Sequence, residues 1–205
     1  MKRLTFTILV AAVLWGLMFF PPVAPHFDFW QMMAGSALLL TGLATLFAKA
    51  WWTRLHFTRE NILLGVAIAV VLWIVFWVGE KIASWLFDFA RGQVDSIYTI
   101  KDGSSPLLLS LLLVLLIGPA EEIYWRGYVQ EQLTRKLGAD RGFLIATAAY
   151  TLIHVASLNF MLVMSALVCG VVWGGLYRLF PDRFTAIVIS HALWDAAVFV
   201  WFPIL

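Results

Sequence analysis

The chain has 205 residues, of which 62% are hydrophobic and 13% charged, with a formal net charge of +2. Soluble domains carry roughly half apolar and a quarter charged residues, so this composition excludes a water-soluble fold and makes lipid the surrounding solvent. The single cysteine, Cys169, excludes an internal disulfide and a cysteine-rich metal centre.

Apolar runs bounded by proline, glycine or charge predict seven spans, at 4–22, 29–49, 61–80, 106–126, 142–158, 160–178 and 184–203. A helix satisfies its own backbone hydrogen bonds in hydrocarbon, and one crossing takes about 20 residues. The expected fold is therefore all-α, a polytopic membrane protein built as a bundle of about seven transmembrane helices in a single domain over residues 1–205.

In chain order, Lys2-Arg3 and the apolar run to Phe20 resemble a secretory signal. The run is long for a signal h-region, and no small-x-small cleavage site follows Pro21-Pro22. It is expected to be an uncleaved first span, with cleavage as the alternative. Trp30, Trp51 and Trp52 fall near predicted span ends, as an aromatic belt does. The connection 81–105 mixes Asp88, Arg91, Asp95 and "KDGSSP" with the apolar "IASWLFDFA", which is expected to lie along the interface. Pro119 is expected to kink the fourth span one turn before Glu122. In the sixth span Ala166, Gly170 and Gly174 recur every fourth residue, a small face for close helix packing.

Basic residues set the expected orientation. With the amino end cytoplasmic, the inner segments carry Lys2, Arg3, Lys49, Arg54, Arg59, Arg135, Lys136, Arg141, Arg178 and Arg183, and the outer ones only Lys81, Arg91 and Lys101. The expectation is an integral protein of the cell's inner (plasma) membrane with its carboxyl end non-cytoplasmic.

Ionisable groups at bilayer depth cost several kcal/mol and mark functional sites. Away from the predicted span ends they are Glu121, Glu122 and Arg126 in span four, His154 in span five, and His191 with Asp195 in span seven. Glu122 and Arg126 are four apart and share a face, as do Tyr150 with His154 and His191 with Asp195. Glu121 lies about 100° around the helix from Glu122, so Arg126 is expected to pair with Glu122 while Glu121 faces a cavity as a general base. At 1.5 Å per residue, Glu121 lies about 8 Å from the cytoplasmic edge of a ~30 Å core, His191 at ~10 Å, Asp195 at ~16 Å and His154 at ~18 Å. These depths predict one polar pocket in the inner half of the membrane, with cleavage near the cytoplasmic face. Taken singly, each group has a structural reading: a Glu-Arg staple, a core histidine bonded to a carbonyl, a His-Asp pair that satisfies itself. Three such clusters at compatible depths weigh against that account.

The motifs carry a resemblance. "EEIYWR" (Glu121, Glu122, Arg126) fits EExxxR, "YTLIH" fits FxxxH with Tyr150 for Phe and His154 retained, and "HALWD" (His191, Asp195) fits HxxxD. In this order, within apolar spans over 106–200, they resemble the CAAX-protease and bacteriocin-processing family of intramembrane glutamic endopeptidases, of the Ras-converting CAAX type. Residues 1–105 carry no matching motif. The resemblance implies hydrolysis of a peptide bond in a membrane-anchored protein or peptide, with no metal cofactor and no nucleic-acid partner. Glu121 and His154 would position and deprotonate a water, Glu122 with Arg126 would buttress them, and His191 with Asp195 would occupy the oxyanion-stabilising place. Tyr150 keeps the aromatic ring and adds a hydroxyl able to join the polar network. An ionised aspartate cannot donate a hydrogen bond, so His191 is the expected donor, with Asp195 fixing its tautomer.

Two alternatives stand beside this reading. Two histidines and up to three carboxylates also suit a zinc protease, although no HExxH is present. Intramembrane Glu, His and Asp also suit a proton-coupled transporter or a scaffold, although no inverted repeat is visible.

Overall fold

The computed structural model describes residues 1–48 and 51–204. Among these residues there are helices and turns and no strand. The helices are α1 (Lys2–Phe19), α2 (Phe29–Phe47), α3 (Arg59–Leu86), α4 (Ala90–Tyr98), α5 (Pro106–Leu137), α6 (Ala139–Ile153), α7 (Phe160–Leu179) and α8 (Phe184–Ala196), which runs on as a π-turn over Ala197–Trp201. The chain is an integral membrane protein of all-α architecture. Among the described residues, six helices are long and apolar enough to cross a membrane: α1, α2, α3, α5, α7 and α8 with its flanking turns.

The span expected at 142–158 is the exception. Its α-helix, α6, has only 15 residues, roughly 22 Å at 1.5 Å per residue, against the ~30 Å hydrocarbon core. A 3₁₀ turn, His154–Ser157, completes it. Even so, α6 runs between the same two ends of the bundle as its neighbours. Asp140 at its start pairs with Arg178 near the end of α7. Beyond its other end, Asn159 Nδ2 donates to the Gln93 carbonyl in α4 at 2.9 Å.

The two ends differ in charge. One gathers the connections around residues 54–60, 131–141 and 177–183. There Arg54 meets Glu131 at 2.9 Å, Tyr177 donates to Glu131 at 2.9 Å and Arg183 meets Glu60 at 3.2 Å. The other end carries Lys81, Arg91 and Lys101. It is tied by Trp30 Nε1 donating to the Ile100 carbonyl (3.1 Å), Lys101 Nζ donating to the Phe199 carbonyl (2.8 Å) and the Ile204 N–H donating to the Tyr98 hydroxyl (2.9 Å). Lys49, the last residue of the predicted 29–49 span, lies outside the described residues.

Several boundaries move, each for a visible reason. α3 continues past residue 80 to Leu86, because Glu80 and Lys81 pair at 3.0 Å and Ser84 donates to Glu80 at 2.8 Å. Charges satisfied along the helix do not end it. Most of "IASWLFDFA" is therefore the end of α3, and the short helix following it is α4, whose Arg91 pairs with Asp95 at 3.0 Å and with Glu80 at 3.4 Å. α5 likewise passes residue 126 and reaches Leu137. Within it, Pro119 lacks a backbone donor and crowds the carbonyl four residues back. The helix meets this with a π-turn over Leu113–Ile117, one of the recognised causes of a local bend. A second π-turn covers Trp125–Gln130.

Close backbone approach positions the site. A Cβ on Gly118 of α5 would sit 2.6 Å from Ala192 Cα in α8, and one on Gly65 of α3 would sit 2.8 Å from Ile189 Cβ. The helix carrying His191 is thus clasped between α3 and α5. The small face of α7 meets α6 and α5: a Cβ on Gly170 would lie 3.1 Å from Thr147 Cγ2, and one on Gly174 would lie 3.2 Å from both Phe143 Cδ2 and Gln130 Oε1. Cys169, directly before Gly170, is a buried core thiol.

Candidate active site

The seven side chains singled out in the sequence converge. Glu121, Tyr150, His154, His191 and Asp195 line one cavity of about 490 Å³, and Glu122 and Arg126 lie buried behind it. The walls are otherwise almost wholly apolar and come from α1, α2, α3, α4, α5, α7 and α8.

Glu122 is fully buried and accepts from two groups through one oxygen. His191 Nδ1 approaches its Oε1 at 2.6 Å, and Arg126 Nη1 approaches the same atom at 2.8 Å. Arg126 Nη2 also donates to the Cys169 carbonyl at 3.3 Å, and its guanidinium lies 4.8 Å from the Tyr150 ring centroid and 5.6 Å from that of Trp173. A planar cation over aromatic faces gains electrostatically while its N–H groups stay free for the carboxylate. The Trp173 ring stacks on His191 with centroids 3.8 Å apart and 17° between planes. His191 is therefore fixed in position and rotation by Glu122 and Trp173.

This corrects the expected tautomer partner. Asp195 Oδ2 lies 3.5 Å from His191 Nε2, at the outer limit for a hydrogen bond, whereas Glu122 on another helix is the close partner. Because Glu122 accepts from Arg126 as well, it holds Nδ1 as the N–H of His191 and turns Nε2 toward Asp195 and the cavity.

Glu121 occupies a different environment from its neighbour, as the 100° offset requires. Tyr150 donates its hydroxyl to Glu121 Oε2 at 3.2 Å, and Oε1 makes no hydrogen bond among the described residues. The hydroxyl that Tyr150 has in place of a phenylalanine's bare ring thus orients the carboxylate.

His154 sits at the end of α6 with both ring nitrogens engaged. Nδ1 lies 2.8 Å from the Tyr150 carbonyl, and the Trp15 indole N–H donates to Nε2 at 3.1 Å. Sequence reasoning missed Trp15 because a tryptophan in an apolar run carries no spacing signal. Trp173, directly before Gly174 in α7, was equally silent. Among the described residues, no three His, Cys, Asp or Glu side chains come together in a group able to hold a metal ion.

The cavity extends from the site toward α4. From Glu121 and His191 its lining passes through Leu113, Glu80 and Phe160 to Ile97 and Tyr98 of α4, away from the basic end of the bundle.

Compared with known proteins, residues 103–197 match the family model described as "Type II CAAX prenyl endopeptidase Rce1-like". Over this stretch the chain is similar to the CAAX-protease family. The matched segment begins before Glu121, ends after Asp195 and so contains all three motifs, whereas Trp15 lies outside it. No curated protein and no solved structure matches the chain.

Proposed function

We propose that the chain is an intramembrane endopeptidase that cleaves a peptide bond in a lipid-anchored protein or peptide, with Glu121 as the base that activates water. The observation that carries this reading is a carboxylate with one oxygen oriented by Tyr150, set at the inner end of an otherwise apolar cavity beside a histidine locked by Glu122. An apolar cavity of this size suits a greasy substrate segment, and its few convergent polar groups suit the reacting bond.

The chemistry balances without a cofactor. One water proton passes to Glu121, and the oxygen bonds to the scissile carbonyl carbon. The carbonyl becomes an oxyanion that accepts from the cavity-facing edge of His191 once Nε2 also carries a proton. The C–N bond then breaks, and Glu121 returns its proton to the departing nitrogen. Asp195 beside Nε2 stabilises that second proton on the ring. Glu122 and Arg126 hold His191 in place and do not touch the substrate.

Two experiments test this. Proteomics of membrane fractions should reveal new protein termini in cells with the wild-type chain that disappear with Glu121→Gln; termini that persist in the variant would refute the base. Metal-free chemistry predicts that purified enzyme, stripped by exhaustive chelation and assayed for metal, cleaves the same substrate at the same rate. Activity lost on chelation and restored by zinc would replace this mechanism with a zinc-bound water.

A further inference from the structure

We propose that Trp15, in the first helix and outside the matched segment, is a positioning residue for the reaction: its indole N–H caps His154 Nε2 and holds that ring in a single tautomer, leaving Glu121 to take the proton from water. The inference rests on the hydrolase reading for its consequence and on hydrogen-bond chemistry for its core.

The partners of His154 dictate its proton. An indole nitrogen donates and cannot accept, so the nitrogen facing Trp15, Nε2, carries the lone pair. A backbone carbonyl accepts and cannot donate, so the nitrogen facing the Tyr150 carbonyl, Nδ1, carries the hydrogen. Both contacts are buried, with Trp15 1% and His154 7% exposed. Trp15 meets the imidazole edge-on, with 6.0 Å between centroids, and Phe19 one turn later packs on it at the same distance. Tyr150 flanks it from its own helix at 5.1 Å. No charged side chain bonds to His154 among the described residues. In this arrangement its one basic site is occupied, and it cannot deprotonate water until the indole moves. What it supplies is a rigid anchor. Tyr150 is bound at one end to His154 through its carbonyl and at the other to Glu121 through its hydroxyl, so the line Trp15–His154–Tyr150–Glu121 ties the first helix to the catalytic carboxylate.

The test uses full-length protein with ¹⁵N-labelled histidine in lipid, with the His154 signals assigned by their loss in His154→Gln. The wild type should show Nδ1 protonated and Nε2 bare but hydrogen-bonded. Trp15→Phe keeps an aromatic ring and removes the donor. It should move the Nε2 resonance or admit the Nε2–H tautomer, and lower kcat roughly 3- to 10-fold, the scale of one hydrogen bond, with KM unchanged. A wild-type ring protonated at Nε2, or an Nε2 signal unmoved in Trp15→Phe, would overturn the proposal. An increase in kcat would overturn it as well, showing that the freed nitrogen acts as the base. The wild-type spectrum decides the tautomer even where the variant fails to fold. If the wild type cleaves no substrate, the spectra still judge the Trp15 contact, so failure of the hydrolase reading is told apart from failure of this one.

Discussion

Glu122 carries the heaviest electrostatic duty of the site. It is fully buried and faces Arg126 at 2.8 Å and His191 at 2.6 Å. Removing one member of a buried pair leaves the other uncompensated, a loss of about 3–5 kcal/mol. Glu122→Gln should lower stability by that order in equilibrium unfolding in detergent. Combining it with Arg126→Leu should recover part of the loss, because the stranded cation is gone. If the two changes simply add, the pair is not coupled and the geometry drawn around Glu122 is wrong. Glu121 behaves differently. It bonds to one hydroxyl at the wall of a cavity, so Glu121→Gln should remove activity with little change in stability.

Helix approach sets the distances that those residues need. Gly118 lets the α5 backbone approach α8 so closely that a Cβ would strike Ala192 Cα at 2.6 Å and its nitrogen at 2.8 Å, where no flexible side chain can give way. Gly118→Ala should cost about 1–3 kcal/mol, the scale of overpacking. It should also lower kcat by stretching the Glu122–His191 bond, which spans the same two helices. Gly35 in α2 has nothing within 4 Å of its virtual Cβ. Gly35→Ala should leave both quantities unchanged within about 0.5 kcal/mol, which makes it the control. At this scale the sequence was legible wherever helical spacing reports on a single helix. The Glu122–Arg126 pair is real, and the small face of α7 does lie on its neighbours. Spacing says nothing about partners on other helices. That is why Asp195, four residues from His191, was the expected partner although Glu122, 69 residues away in the chain, is closer. Charge also misled on helix ends. Arg126 closed the predicted fourth span, yet the helix continues to Leu137, with Glu131 and Arg135 paired at 2.6 Å along it.

Across the whole molecule, charge and cavity point in opposite directions. The basic residues gather at the end holding Arg54, Arg141 and Arg183, while the cavity runs to the end holding Arg91 and Lys101. Depth counted within single helices put the polar groups in the inner half but could not show which way the space between helices extends. Six or more packed helices decide that together. If the positive-inside rule sets the orientation, the cavity mouth is non-cytoplasmic. A reporter fused to the carboxyl terminus should then read non-cytoplasmic. A cysteine placed at Ile97, in a Cys169→Ser background, should react with a membrane-impermeant thiol reagent added outside intact cells. Labelling that requires opening the cells would invert the orientation.

The central claim is that Glu121 delivers the water, and its most direct test is single-turnover cleavage in metal-stripped proteoliposomes prepared in H₂¹⁸O. The wild type should place one ¹⁸O in the new carboxyl terminus of a lipid-anchored peptide, and Glu121→Gln should slow that step by a factor on the order of 10²–10⁴, the usual reach of a general base. Unchanged ¹⁸O incorporation in the folded variant would contradict the account.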